Sequence, residues 1–175
     1  MPTDADRKRK RVVVGMIKNK IKTISELRAA VGPLKKRGKR IVFTNGCFDI
    51  LHKGHVELFK KAKSLGDILI VAINSDASVK KIKGRKRPIN SARDRAVVLS
   101  AISFIDFITV FKETDPARII KKINPDALVK GGDWRKKEII GSKYVMSKGG
   151  KVYSIPFVKG YSTSRIINAV AKLSK

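Results

Sequence analysis

Cysteine, histidine, acidic residues and aromatic side chains are all scarce in this chain, and each scarcity closes off a class of function. A single cysteine in 175 residues excludes an intramolecular disulfide. With no signal-peptide pattern and no apolar run long enough to span a bilayer, the expected compartment is a reducing cytoplasm, with no membrane partner. Cys47 lacks a spare histidine to act as its base, because the chain holds only two, so it reads as a small packing residue rather than a nucleophile. The Gly-Lys-Ser/Thr ending of a P-loop is missing. Aromatics make up 6% of the residues, and most sit inside apolar runs that read as core. Fourteen acidic residues face 41 basic ones, a formal charge of +27, which attracts polyanions at long range. The bases concentrate at 7–11 and at 80–87, where six of eight positions are Lys or Arg. Nucleic acid is therefore a partner to weigh, but neither aromatic interleaving nor a recognition module accompanies the charge. The length suits one domain with a real core, and no internal repeat is apparent.

What the chain does have is Thr44-Asn45-Gly46-Cys47-Phe48-Asp49-Ile50-Leu51-His52-Lys53-Gly54-His55, which places both histidines three apart astride a glycine. Ile41, Val42 and Phe43 read as a buried strand ended by the turn-forming Asn45-Gly46, and Val56, Phe59, Ala62 and Leu65 carry helical spacing. The histidines thus fall where strand becomes helix. Unpaired N–H groups and the positive end of a helix dipole attract an anion there, and Gly54 has no Cβ to hold a phosphate away. His52 and His55 share a helix face and can reach one phosphoryl group. A lone histidine at a helix start is more often a cap or packing residue; the pair in this context favours the phosphate reading. Zinc is disfavoured, since the spacing is one short of His-x-x-x-His and no third histidine or cysteine pair is near.

The remaining chain alternates helix and strand. Residues 1–18 read as a basic tail and 19–39 as a lead-in helical segment, with Ser25 capping a helix from Glu26 that Gly32-Pro33 interrupts. The main domain, 40–175, continues with Gly66 stopping the histidine helix and a strand at 68–73. Asn74, Ser75 and Asp76 follow at that strand's carboxyl edge, where open parallel sheets bind ligands; Asp76 serves equally as ligand or as helix cap. A basic loop spans 80–87, Asn90 caps a helix to about Ile102 with Val97, Val98 and Ala101 inward, and an edge-type strand covers 104–111. Thr114-Asp115-Pro116 starts a helix that Asn124-Pro125 closes. A strand at 127–129 delivers Lys130-Gly131-Gly132-Asp133-Trp134, the last strand is 151–155, and Ser162-Thr163-Ser164 opens a helix with Ile166, Ile167, Val170 and Leu173 inward. The pattern implies an α/β, Rossmann-like doubly wound parallel sheet with right-handed crossovers.

Asn45-Gly46-Cys47-Phe48-Asp49 with His52-Lys53-Gly54-His55 resembles the signature of the His-x-Gly-His, cytidylyltransferase-like nucleotidyltransferases. Within them the chain is most similar to the heptose 1-phosphate adenylyltransferases, through 38–44, 71–76, Arg87-Pro88-Ile89-Asn90, 129–133 and 160–164. The resemblance implies transfer of AMP from ATP to a sugar 1-phosphate, with release of pyrophosphate, for lipopolysaccharide-core or related precursors. Its implied catalytic set is His52, His55, Lys83, Arg95 and Thr163. The implied nucleotide site is Thr44, Asn45, Gly46, Cys47, Phe48, Gly54, Lys130, Gly132, Asp133, Ser162 and Ser164, and the implied acceptor site Asp49, Asn74, Asp76 and Lys81. It further implies Mg²⁺ carried on ATP without a protein-held metal site, a homodimer, and a separate sugar kinase, since relatives often carry one fused and this chain has no room for it. Two alternatives stand beside it: a glycerol 3-phosphate cytidylyltransferase, and a basic nucleic-acid-binding protein on the same fold.

Overall fold

The computed structural model describes residues 20–173; the basic run at 7–11 lies outside them. Five parallel strands form one sheet in the order β3-β2-β1-β4-β5: β1 (Ile41–Gly46), β2 (Ile68–Asn74), β3 (Phe107–Phe111), β4 (Ala127–Gly131) and β5 (Lys151–Ile155). Alternation along the strands sorts side chains into two cores. Ile41, Phe43, Ile70, Ala72 and Leu128 pack on one face beneath α1 (Ile24–Lys36), α5 (Ala117–Ile123) and α6 (Ser142–Ser147). Val42, Leu69, Val71, Ile73 and Val129 pack on the other beneath α2 (Lys53–Lys63) and α4 (Ala92–Ser100). Two short or peripheral helices complete the set: α3 (Asp76–Lys83) and α7 (Thr163–Leu173). None of the described helices is long and apolar enough to cross a membrane.

Connections run outward from β1 to β2 and β3, then return to the other side of β1 for β4. That reversal lies between β1 and β4, and it opens a crevice at their carboxyl ends. Everything proposed from the histidine motif sits at this edge. At the opposite margin β3 is covered: Ile21 bridges to Ile108, the Lys22 N–H donates to the Ile108 carbonyl at 2.8 Å, and Lys20 Nζ reaches the Ile102 carbonyl at 3.0 Å. The lead-in helix is also part of the core, with Leu27 and Val31 buried beside Ile41 and Phe43.

Several local expectations need correction. Thr23, not Ser25, caps α1, in a reciprocal capping box with Glu26, and Pro33 lies inside the unbroken helix. Gly32 explains the tolerance, because the clash between a proline ring and the preceding Cβ has no Cβ to act on. Asn45-Gly46 belongs to β1 rather than ending it. Gly66 is not the helix stop, since α2 ends at Lys63; a Cβ there would lie 2.7 Å from Val42 Cγ2 and 2.9 Å from the Arg40 carbonyl oxygen. Lys80 to Lys83 close α3, so the basic loop begins only at Gly84. Ser91, not Asn90, caps α4, and Ala96 and Leu99 point inward while Val97, Val98 and Ala101 face solvent. In α7, Val170 and Leu173 are exposed rather than inward. No sequence signal had marked α6.

Replacing Gly66 with alanine is expected to lower stability by about 1–3 kcal/mol, the range for forcing a methyl into a packed site. A urea midpoint unchanged from the parent chain would show that Arg40 and Val42 yield freely.

Candidate active site

The strand-to-helix junction is shaped by its glycines and one strained aromatic. Phe48 adopts a left-handed backbone, φ 45°, and folds its ring back over Gly46, where an added Cβ would sit 2.9 Å from the ring. From there the Phe48 ring meets His55 edge-on, with centroids 5.2 Å apart. His52 occupies the N-cap position of α2 without making a capping hydrogen bond, and its ring stacks on His55 with centroids 3.8 Å apart and planes at 22°. Gly54 leaves the space for this: a Cβ would come within 3.1 Å of the His52 ring. The glycine therefore makes room first for a histidine, not directly for a phosphate.

Stacking and burial keep both imidazoles neutral. Burial, and then the neighbouring His52, push His55 from 6.5 down to about 4, and burial lowers His52 as well. Each Nδ1 is buried without a hydrogen-bond partner, and both histidines line the cleft. Together with the first-turn N–H groups of α2, they form a donor surface without a formal charge.

Two lobes meet at this pair. One, of about 480 Å³, runs between His52, Gly54 and His55 and the segment from Ile155 to Thr163, ending at Arg165. The second, of about 430 Å³, lies over the ends of β1, β2 and β4 and is lined by Asn45, Asn74, Lys83, Arg87, Lys130 and Trp134. His55, Gly131, Phe157 and Thr163 border both. A side chamber of about 180 Å³ opens beside the second lobe at Asn45, Lys130 and Trp134. Burial pushes Lys130 below the usual lysine range, and Lys83 adds to the effect while Cys47 opposes it. Burial raises the Cys47 thiol, which agrees with a packing role for that residue.

Beneath the second lobe, two ion pairs hold the loops. Asp49 is buried and accepts from Arg87 Nε at 2.6 Å, from the Ile89 N–H at 2.8 Å and from the Asn90 N–H at 2.8 Å. Burial alone would raise its carboxyl; the Asn90 and Ile89 N–H groups and Arg87 outweigh it and leave the group below the usual range. Arg95 is likewise buried. It donates to the carbonyls of Asn90 (3.1 Å), Cys47 (2.6 Å) and Asn74 (2.8 Å), and to Asp76 at 2.8 Å.

The expected residues therefore divide. His52, His55, Gly54, Ser162 and Thr163 line the first lobe, and Asn45, Gly46, Cys47, Phe48, Asp49, Asn74, Lys83, Lys130 and Ser164 line the second. Arg95 is turned inward onto carbonyls and does not line either lobe, contrary to its expected contact with phosphate. Thr44 is buried within β1, Asp76 is engaged by Arg95, and Lys81 and Asp133 face solvent outside the lobes. Gly132 is set by its neighbours: at φ 116° a Cβ would fall 2.8 Å from Trp134 Nε1 and 3.0 Å from Phe157. Ser162 caps α7 through the Arg165 N–H at 3.1 Å, while Thr163 Oγ1 donates to the Ile50 carbonyl at 3.2 Å.

Sequence reasoning missed Arg87, Phe157, Tyr161 and Arg165. Phe157 is 68% exposed and Tyr161 43% exposed, beside the cleft rather than in the core. Their signal was available in an aromatic pair set among Pro156 and Gly160, a composition that a core strand would not carry. Among the described residues, no three His, Cys, Asp or Glu side chains cluster in a way that could hold a metal ion.

The chain is similar to several known proteins. The chain is 51% identical over 148 residues to the bifunctional protein HldE of Proteus mirabilis, covering 85% of this chain and 31% of that protein. It is 52% identical over 147 residues to the bifunctional protein HldE of a Nitratiruptor species, covering 84% and 31%. It thus spans less than a third of the length of these curated relatives. Among solved structures, it is similar to the lipopolysaccharide core biosynthesis protein from Thermoplasma volcanium GSS1, with 28% identity and a TM-score of 0.58 over 71% of this chain and 100% of that one. Pantoate-beta-alanine ligase from Francisella tularensis, at 17% identity, a TM-score of 0.58 and coverage of 85% and 76%, shares the fold alone. The cytidylyltransferase-like family matches residues 43–169, a span holding the histidine pair, both lobes and four of the five strands complete, and the chain belongs to that family of nucleotidyltransferase enzymes.

Proposed function

We propose that the chain transfers AMP from ATP to a heptose 1-phosphate, giving ADP-heptose and pyrophosphate. The observation that carries the reading is the neutral, stacked His52–His55 pair at the meeting of two lobes, one flanked by exposed aromatics and the other by cations. Sequence resemblance to heptose 1-phosphate adenylyltransferases, and likeness to a lipopolysaccharide core biosynthesis protein, support the acceptor.

In this reading ATP occupies the first lobe, its base toward Phe157 and its phosphates toward His52, His55 and the start of α7. The acceptor phosphate occupies the second lobe against Lys83, Arg87 and Lys130. One of its oxygens attacks the α-phosphorus in line, a new P–O bond forms, the α–β bridging bond breaks, and pyrophosphate leaves toward Ser162, Thr163 and Arg165. No covalent enzyme intermediate is required. The acceptor is already an anion, so the protein's work is to bring two repelling anions together and stabilise charge on the transferring group. Neutral imidazoles suit that task because both can donate from Nε2 without repelling each other. Arg95 and Asp49 act as positioning residues: the first fixes the carbonyls around Cys47 and Asn74, the second holds Arg87 at the lobe. Mg²⁺ is part of the reading as a partner of ATP, held by phosphates and water, since the cleft offers it no carboxylate set and Asp49 is committed to Arg87. A kinase acting before this step to make the sugar 1-phosphate, a homodimer and a cytoplasmic setting belong to the same reading.

The deciding test is pyrophosphate release with Mg²⁺, pairing ATP or CTP with heptose 1-phosphate or glycerol 3-phosphate. ATP with the heptose should dominate; CTP with glycerol 3-phosphate would move the chain to a different branch of the family. His55→Ala is expected to lower turnover by at least about a hundredfold with the fold retained, the scale of a lost hydrogen bond to transition-state charge. Near-normal turnover in that variant would sink the mechanism. Gly54→Ala should displace the His52 ring and cut turnover at least about tenfold, as expected when a positioning contact is lost, with circular dichroism unchanged.

Stability should also depend on pH through His55. The unfolded chain takes up that proton near 6.5, whereas the folded chain resists until about 4, so the unfolded state binds more protons between them. The contribution is fully present above 6.5 and is lost as pH falls toward 4. Urea titrations should show this slope in the parent chain and a shallower one in His55→Gln; equal slopes would contradict a depressed His55.

A further inference from the structure

The side chamber beside the second lobe is not used by the reaction described above, although it shares Asn45 and Lys130 with that lobe. Its floor is the buried Ile139, with Pro116 and Ile140 alongside, and its polar groups are Asn45, Lys130 and Glu138. Trp134 closes the side shared with the phosphate-binding lobe. Trp134 is 49% exposed, yet both parts of it are held: its backbone N–H donates to Ser154 Oγ at 3.1 Å, and the indole Nε1–H donates to the Gly131 carbonyl at 3.2 Å. Gly132 keeps space for it, because a Cβ there would strike Nε1 at 2.8 Å. An exposed aromatic that is also fixed has lost most of its freedom before any ligand arrives, the arrangement expected of a recognition platform.

We propose that this chamber is a sugar-ring subsite, in which Trp134 forms an apolar platform for one face of a pyranose while Asn45 and Glu138 take its hydroxyls, so that the enzyme selects cyclic sugar 1-phosphates over short acyclic polyol phosphates. The proposal rests on the acceptor reading above, and the phosphate of either acceptor class still meets Lys83, Arg87 and Lys130. Continuity supports it: the chamber, about 180 Å³, shares Asn45, Lys130 and Trp134 with the phosphate-binding lobe, so a ring carried on a phosphate at Lys130 has the chamber directly beside it. The chemistry of the walls supports it too. A pyranose has an apolar C–H face and an edge of hydroxyls, and the chamber pairs an indole and aliphatic side chains with an amide and a carboxylate.

Trp134 is the only tryptophan in the chain, so its emission reports on the chamber without any substitution. Heptose 1-phosphate should produce a saturable change in that emission, and glycerol 3-phosphate and inorganic phosphate should produce little at concentrations that occupy the phosphate contacts, judged by competition with the sugar phosphate. An equal response to all three ligands, or none to the sugar phosphate, overturns the subsite. Steady-state kinetics provide the second arm. Trp134→Leu is expected to raise KM for the sugar phosphate at least tenfold while KM for ATP stays within twofold, with Trp134→Phe recovering part of the loss; a sugar-phosphate KM within twofold of the parent overturns the proposal. If the parent chain releases no pyrophosphate but the sugar-specific emission change persists, the reaction reading fails and the subsite stands. If pyrophosphate is released and Trp134→Leu behaves as the parent, the reverse holds.

Discussion

A guanidinium buried to within 2% of full occlusion is costly to keep, and Arg95 repays that cost by holding three chain segments at once. Its donors end on the carbonyls of Cys47, Asn74 and Asn90, which belong to the loop after β1, the end of β2 and the approach to α4. Asp76 supplies the countercharge from the start of α3. Without this side chain the carbonyls of Cys47 and Asn74 at the mouth of the crevice would lose this donor, each a loss of the order of 1–3 kcal/mol where no other donor replaces it, whereas that of the exposed Asn90 can turn to water. The geometry of the cleft is therefore set by a cation that does not line it. Asp49 repeats the device with opposite sign, gathering the Ile89 and Asn90 N–H groups and holding Arg87 at the edge of the second lobe.

The histidine pair works within that frame by having no charge. Two imidazoles stacked 3.8 Å apart cannot both hold protons comfortably, and burial moves the balance further toward the neutral forms. Positive charge instead comes from Lys83, Arg87 and Lys130 on one side and Arg165 on the other. In the proposed reaction the site separates two tasks: attraction of anions at its flanks, and directed hydrogen bonding at its centre.

Much of this is readable in the residues alone. Unbroken apolar runs such as 68–73 announce strands covered on both faces, and the histidine pair falls at a strand-to-helix junction as its spacing indicated. The misread caps, Thr23 and Ser91, are local signals, but the larger misreadings share one physical origin, since sequence reports local preference and those errors are tertiary. Arg95 looks like any phosphate-seeking arginine until its carbonyl partners, contributed by residues 21 and 48 positions away, are in place. Val97 and Val98 are apolar at helical spacing, yet Arg95 and Ser100 take the inward face beside Ala96 and Leu99. Phe157 and Tyr161 are not singled out by a reading that assigns most aromatics to the core. The charge surplus gave little guidance, for the bases at the cleft are few among 41.

The cover over β3 has a consequence for how such a unit can be inherited. The recognisable family span starts at residue 43, but Ile21 pairs with the outer strand, and Leu27 and Val31 fill the core under β1. A gene rearrangement that cut at the recognisable boundary would leave a bare strand edge and an open apolar face, both invitations to aggregate. The unit that folds intact is accordingly larger than the span of 43–169 that marks the family, and it includes α1.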